Sequence, residues 1–137
     1  MKNRLFIINE SSDSKVIGRE YPQFEIFDPL VEDGLDILSR NKGREVKNDI
    51  EIFNLKLPIK SKITDILSCS LGAGGDFIIS KKVFSILGDF NCSSVQFFPV
   101  SFRHKDQIYS DFFYVHFIYA FEKFLNFKES TYDEYFI

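Results

Sequence analysis

The sequence has no tryptophan, one methionine and only two cysteines in 137 residues. Cys69 and Cys92 form no Cys-x-x-Cys pair and lack the spacing of a structural metal site. A chain of this length buries about two thirds of its unfolded surface, so it needs neither a disulfide nor a metal to fold. The sequence therefore predicts two free, buried thiols in a reducing compartment, with a disulfide between them as the alternative.

Long apolar runs are also lacking. The longest, Phe112–Phe121, is interrupted by His116 and is too short to span a bilayer. Near the N-terminus, Leu5–Ile8 falls well short of the apolar region of a signal peptide. We therefore expect a cytoplasmic protein that does not contact a membrane.

An excess of basic residues is the third feature that the sequence lacks. The net charge is −3 and the isoelectric point is near 5.4. Nucleic-acid-binding domains usually carry a basic stripe, so this balance argues against a nucleic-acid partner. A mild negative charge is compatible with a basic protein partner.

Motifs of catalysis and cofactor binding are missing as well. The glycines of Leu71–Asp76 precede a predicted strand and are followed by no Lys-Ser/Thr pair, so they predict a loop and not a phosphate cradle. His104 is predicted in a solvated turn, and His116 on a strand face with a neighbour as hydrogen-bond partner. We therefore expect no catalytic residue, no cofactor and no metal, and the protein is predicted not to be an enzyme. A small enzyme that pairs one of these histidines with a carboxylate in a cleft is the alternative.

Two clusters of carboxylates are predicted to be solvated faces, with an acidic contact surface for a basic partner as the alternative. They are Glu32, Asp33 and Asp36 in the first cluster, and Glu129, Asp133 and Glu134 in the second.

Phenylalanine is what the sequence has in excess, with 17 of them beside 6 tyrosines. A phenylalanine side chain has no polar atom, so most of these residues are predicted in the core. One core has little room for all of them. The surplus predicts an apolar surface patch and a partner that covers it.

Phe77–Phe102 concentrates much of the apolar material and is predicted to be a strand–helix–strand unit. Ser80 follows a short strand and is a good helix N-cap, and Asn91 is predicted to end the helix. Val95–Phe102 is the second strand. The apolar face of the helix is predicted to comprise Val83, Leu87 and Phe90, with Phe84 beside them.

The remaining elements complete a single α+β domain over residues 1–137, mainly an antiparallel sheet with one or a few short helices packed on it. Phe112–Tyr119 is predicted as a central strand that pairs antiparallel with Val95–Phe102. Further strands are predicted at Leu5–Ile8, Val16–Ile17, Phe24–Phe27 and Ile50–Leu57. Short helices or turns are predicted at Leu30–Ser39 and Thr64–Leu71.

Five short segments occur in a fixed order between Thr64 and Tyr132. They are Thr64–Leu67, Phe77–Leu87, Gln96–Val100, Phe113–His116 and Phe127–Tyr132. This order resembles a family of bacterial immunity proteins from polymorphic toxin systems. The family's last element corresponds to Asn126–Ser130 here, with asparagine where that family has aspartate.

The resemblance implies a non-enzymatic protein that binds and neutralises a cognate bacterial toxin effector by protein–protein occlusion. The alternative is a structural or assembly module that self-associates through an aromatic-rich surface. In either case Phe77–Phe102 is predicted to be scaffold. The contact surface is predicted at the aromatic and acidic C-terminal end, namely Tyr132, Asp133, Glu134, Tyr135 and Phe136.

Overall fold

The computed structural model describes residues 11–19, 22–24, 33–69, 77–119 and 128–129. Within these residues the chain forms five strands and three short helices. The elements are α1 (Ser14–Ile17), α2 (Asp33–Arg40), β1 (Ile52–Lys56), β2 (Ile66–Ser68), β3 (Phe77–Ser80), α3 (Lys81–Leu87), β4 (Val95–His104) and β5 (Gln107–Phe117). The predicted α+β class is confirmed. The predicted strand at Leu5–Ile8 and residues 25–27 of another lie outside the described residues.

The sheet has the strand order β1-β4-β5-β3-β2, with β5 at its centre. Three of the four pairings are antiparallel, and β1 runs parallel to β4. Val95 of β4 pairs with Phe117 of β5, and Val100 pairs with Phe112. The predicted central strand and its antiparallel pairing are therefore confirmed.

The connection from β4 to β5 is a two-residue turn at Lys105 and Asp106. Both residues have positive φ, 47° and 62°, which is the conformation of a type I′ hairpin turn. His104 pairs with Gln107 across it. The expectation of a solvated His104 is wrong, because the residue belongs to β4 and is only 6% exposed, and its ring Nδ1 lies 3.2 Å from the carbonyl oxygen of Leu57.

Strand β1 contains a bulge at Asn54, whose φ is 67°. Ile52 pairs with Val100 and Leu55 with Phe102, so β1 contains one residue more than β4 between these two pairs. Sequence alternation predicted that Phe53 would lie on the same side as Leu55. That prediction is wrong for Phe53, which is 52% exposed, because the bulge breaks the two-residue period.

One hydrophobic cluster lies against the first face of the sheet. From β4 and β5 it includes Phe98, Val100, Phe102, Phe112 and Tyr114. Helix α2 adds Leu35 and Leu38, which confirms the predicted helix there. Two predicted elements are wrong: Val16–Ile17 is helical, and the segment predicted as a helix or turn after Thr64 contains β2.

A fully buried glutamine joins the segment at residues 22–24 to the edge of the sheet. The Gln23 side-chain amide donates to the carbonyl oxygen of Lys62 at 2.7 Å and accepts from the Ser68 amide at 3.0 Å. Its own backbone amide donates to Ser68 Oγ at 2.8 Å, and Ser61 Oγ donates to its carbonyl oxygen at 2.9 Å. Gln23 therefore bonds to Ser61, Lys62 and Ser68, which are distant from it in the sequence.

Candidate partner-binding site

The C-terminal contact surface predicted from the sequence, Tyr132 to Phe136, lies outside the described residues. Within them, a different apolar surface stands out on the second face of the sheet, where α3 packs. The side chains of this face come from alternate positions of four strands. Phe97 of β4 and Phe77 of β3 both pair with Val115 of β5, and Ile66 of β2 pairs with Ile79 of β3.

Helix α3 begins as predicted and ends earlier than predicted. The Ser80 side chain accepts a hydrogen bond from the Val83 amide, so the N-cap is confirmed. Gly88 caps the C-terminus, and its amide donates to the carbonyl oxygen of Phe84 at 3.0 Å. The prediction that Asn91 ends the helix is therefore wrong, and the overlooked signal is the glycine directly after Leu87, a residue with low helix propensity.

One aromatic ring anchors α3 to the sheet. Phe84 stacks on Phe113 with ring centroids 4.1 Å apart, and it meets Phe97 edge-on at 5.2 Å. No residue of α3 is fully buried, although the helix packs against β3 and β5. The apolar side of the helix is therefore only partly covered by the sheet.

An apolar pocket opens between α3 and the sheet, with a volume of about 160 Å³. Val83 and Leu87 form its helix side. On the sheet side, Phe77 and Phe117 meet edge-on with centroids 5.7 Å apart. Cys92 also lines the pocket, and its thiol donates to the carbonyl oxygen of Leu87 at 3.7 Å. Neither Cys69 nor Cys92 forms a disulfide, which agrees with the predicted thiols, but of the two only Cys69 is buried.

Two exposed apolar side chains belong to the same segment as the pocket residues Val83 and Leu87. Ile86 is 52% exposed and Phe90 is 66% exposed, and both lie close in sequence to the pocket residue Leu87. The prediction that Phe90 packs with Val83 is wrong, because the helix stops at Leu87 and its periodicity does not reach position 90. We call Val83, Ile86, Leu87 and Phe90 the α3 surface.

Polar contacts hold the start of α3. Ser80 Oγ donates to Asp65 Oδ1 at 2.7 Å, and the Ser80 amide donates to the Asp65 carbonyl oxygen at 2.8 Å. Lys82 Nζ lies 3.4 Å from Asp65 Oδ2. The hydrogen bond from the Ser80 hydroxyl is the largest cause that holds the pKa of the Asp65 carboxyl below its usual value, and Lys82 adds to it. Burial opposes them, with an effect smaller than that of the Ser80 bond but larger than either contribution of Lys82.

Replacing Asp65 by asparagine should therefore change how stability depends on pH. The lowered pKa means that Asp65 stabilises the fold above its ordinary pKa of about 3.9, and that this contribution is lost as the pH falls through the lowered value. The side chain is half exposed, so we expect a difference of less than about 1 kcal/mol between wild type and Asp65→Asn at pH 6. Urea unfolding at pH 6 and pH 2 measures it, with Asp111→Asn as an exposed control. A difference that grows towards pH 2 would contradict this account.

The two histidines both bond to backbone carbonyl groups. His116 Nε2 lies 2.7 Å from the carbonyl oxygen of Arg44, which confirms the predicted neighbour for this side chain, and His104 contacts Leu57 as described above. Among the described residues, no group of three or more histidine, cysteine, aspartate or glutamate side chains is arranged to hold a metal ion. These two rings secure loops to the sheet.

Comparisons with protein-family models, with curated proteins and with solved structures found no match to this chain. The immunity assignment therefore rests on the sequence resemblance and stays a prediction. Within the described ranges, no helix has the length and apolar composition needed to cross a membrane.

Proposed function

We propose that this protein is a bacterial immunity protein that binds a cognate toxin effector and neutralises it by occlusion in the cytoplasm. The observation that supports a binding role best is the α3 surface, where a short helix leaves Ile86 and Phe90 exposed next to an open apolar pocket. An exposed apolar patch of this kind is typical of a site that a protein partner covers. The proposed activity is stoichiometric, and the protein itself catalyses nothing.

The chemistry of the surface suggests how such a complex would form. An interface of standard size buries about 1,600 Å² in total, so the α3 surface would be its centre and not its whole extent. Aromatic side chains near the centre of an interface contribute most of the binding energy, and Phe90 is the best placed described residue for that role. The net charge of −3 would speed association with a basic toxin.

Co-production with the toxin domain encoded by a neighbouring gene tests this proposal. We expect the wild-type protein to restore growth of bacteria that produce the toxin domain and to bind that domain one to one in calorimetry. The variant Ile86→Asp/Phe90→Asp should bind at least tenfold more weakly and should lose protection, because two charges would have to be buried.

Ile59→Asp is the matched control, since Ile59 is 70% exposed and lies outside the α3 surface. It should bind and protect like the wild type. Circular dichroism establishes that each variant is folded. If the wild-type protein neither binds nor protects, the immunity proposal is wrong. If it protects and the double variant does so equally well, the toxin contacts another surface.

The second candidate function is an assembly module in which the α3 surface binds a second copy of the chain. The same exposed residues favour it, because Ile86 and Phe90 would be covered equally well in a symmetric dimer. Light scattering after size exclusion separates the two functions. A stable oligomer that Ile86→Asp/Phe90→Asp converts to a monomer, together with no binding of the toxin domain, would support assembly.

A further inference from the structure

We propose that the pocket between α3 and the sheet is a binding site for one compact, uncharged apolar group. The identity of its occupant rests on the proposed function: in the complex it is a single leucine-, methionine- or phenylalanine-sized side chain of the toxin. The pocket would then bind one anchor residue of the toxin, and Ile86 and Phe90 would contact the toxin surface around that residue.

The volume of the pocket selects the size of the occupant. At about 160 Å³ it is close to an apolar cavity of about 150 Å³ that stays dry and binds benzene. Pockets for drug-sized ligands and cofactors are larger, about 300–1,000 Å³. A nucleotide or a whole helix does not fit, whereas one branched or aromatic side chain does.

The lining of the pocket selects the chemistry of the occupant. The described lining side chains are aliphatic or aromatic apart from Cys92, and the thiol of Cys92 is directed to the Leu87 carbonyl oxygen. A charged or strongly polar group would lose its hydration there without gaining a partner. Burying an apolar side chain of leucine or phenylalanine size there is favourable, because it removes apolar surface from water.

Charges at the two ends of α3 favour a partner segment of matching pattern. Lys81 lies just before the pocket residue Val83, and Asp89 lies just after the pocket residue Leu87, both of them exposed. The neighbouring Lys82 is paired with Asp65. The complementary segment therefore carries its apolar anchor between an acidic residue, facing Lys81, and a basic residue, facing Asp89.

Titration with toluene, observed by NMR of the methyl groups, tests the pocket without any toxin. We expect saturable shifts at Leu87 and Val115, which both line it, and none at Ile59. Benzoate, of similar shape but charged, should cause no such shifts. Val83→Phe fills the pocket and should weaken toluene binding at least tenfold, while Ile59→Phe should leave it unchanged. If Val83→Phe does not fold, Cys92→Leu replaces it in this experiment, because it is a smaller change in the same pocket wall and should also weaken toluene binding.

Three results would overturn the site: no saturable shift with toluene, equal binding of benzoate, or unchanged toluene affinity when the pocket is filled. The toxin as the source of the occupant has its own test, in which Val83→Phe should weaken toxin binding at least tenfold in calorimetry. Unchanged toxin affinity would overturn that part. If toluene does not bind, the immunity proposal still stands, because the toxin could bind through another surface. If the protein binds no toxin, the toluene result still stands. The two proposals can therefore be overturned independently.

Discussion

Phe102→Ala should lower the free energy of unfolding by about 3–5 kcal/mol, the usual loss when a fully buried phenylalanine is truncated. Phe102 is 2% exposed and lies at the centre of an aromatic group. Its ring stacks on Tyr109 at 5.4 Å and meets Phe24 and Phe112 edge-on at 5.4 and 4.9 Å. Alanine would leave a cavity with three rings around it, and strands on both sides limit how far they could move inward.

Urea unfolding followed by circular dichroism measures this loss. Phe90→Ala is the matched control, because it makes the same chemical change at a residue that is 66% exposed, and it should cost less than about 1 kcal/mol. If both substitutions lower the free energy of unfolding by the same amount, Phe102 is not packed in the core as described.

Gln23→Leu should destabilise the fold by about 3 kcal/mol, because each buried polar group left without a partner costs about 1–3 kcal/mol. Leucine has nearly the same size as glutamine but cannot replace its amide. The Lys62 carbonyl oxygen would lose a donor and the Ser68 amide would lose an acceptor, and Gln23 is fully buried, so water does not readily replace either bond. The backbone bonds of Gln23 would remain.

Two further substitutions give the scale for this prediction. Ser61→Ala removes a single bond to the Gln23 carbonyl oxygen and should cost about 1 kcal/mol. Gln107→Leu makes the same chemical change at an exposed position and should stay within about 0.5 kcal/mol of wild type. A Gln23→Leu protein as stable as Gln107→Leu would show that the amide contributes little to the fold.

Local sequence signals explain why the centre of the sheet was predictable. The aromatic and β-branched run of β5 and the matching run of β4 indicate strands, and a polar turn between them indicates a hairpin. Ser80 after an apolar run indicates the start of a helix. Each of these features depends on residues that are neighbours in the chain, so the sequence contains the whole signal.

The features that were missed depend on distant residues or on unusual backbone. Gln23 has no pattern of its own, and its role appears only when the chain brings the Ser61–Ser68 region beside it. The bulge at Asn54 lacks a glycine, and its local sign is the asparagine itself, a residue that tolerates positive φ but occurs in many other conformations. Phe90 is exposed because the helix ends three residues earlier. This exposure was missed because an apolar residue after a helix looks the same in the sequence whether it is covered or not.

The candidate site was missed for a related reason. Val83, Leu87 and Phe77 look like ordinary core residues, and the sequence predicted them as scaffold. Only the packed structure shows that α3 lies over the sheet without closing the space beneath it. Shape complementarity between a helix and a sheet is a property of many side chains together, and no single residue indicates a gap.

The parallel pairing of β1 with β4 also has a consequence for the order of folding. The β4–β5 hairpin pairs residues that are close in the chain, whereas Ile52 and Val100, which pair between β1 and β4, are far apart in the sequence. Closing the longer loop costs more chain entropy, so we expect the hairpin to form early and β1 to join it late. By the same reasoning β1 should separate first during unfolding, and its amides should exchange with solvent before those of β5. The edge at Asn54 would then be the place where the molecule first opens.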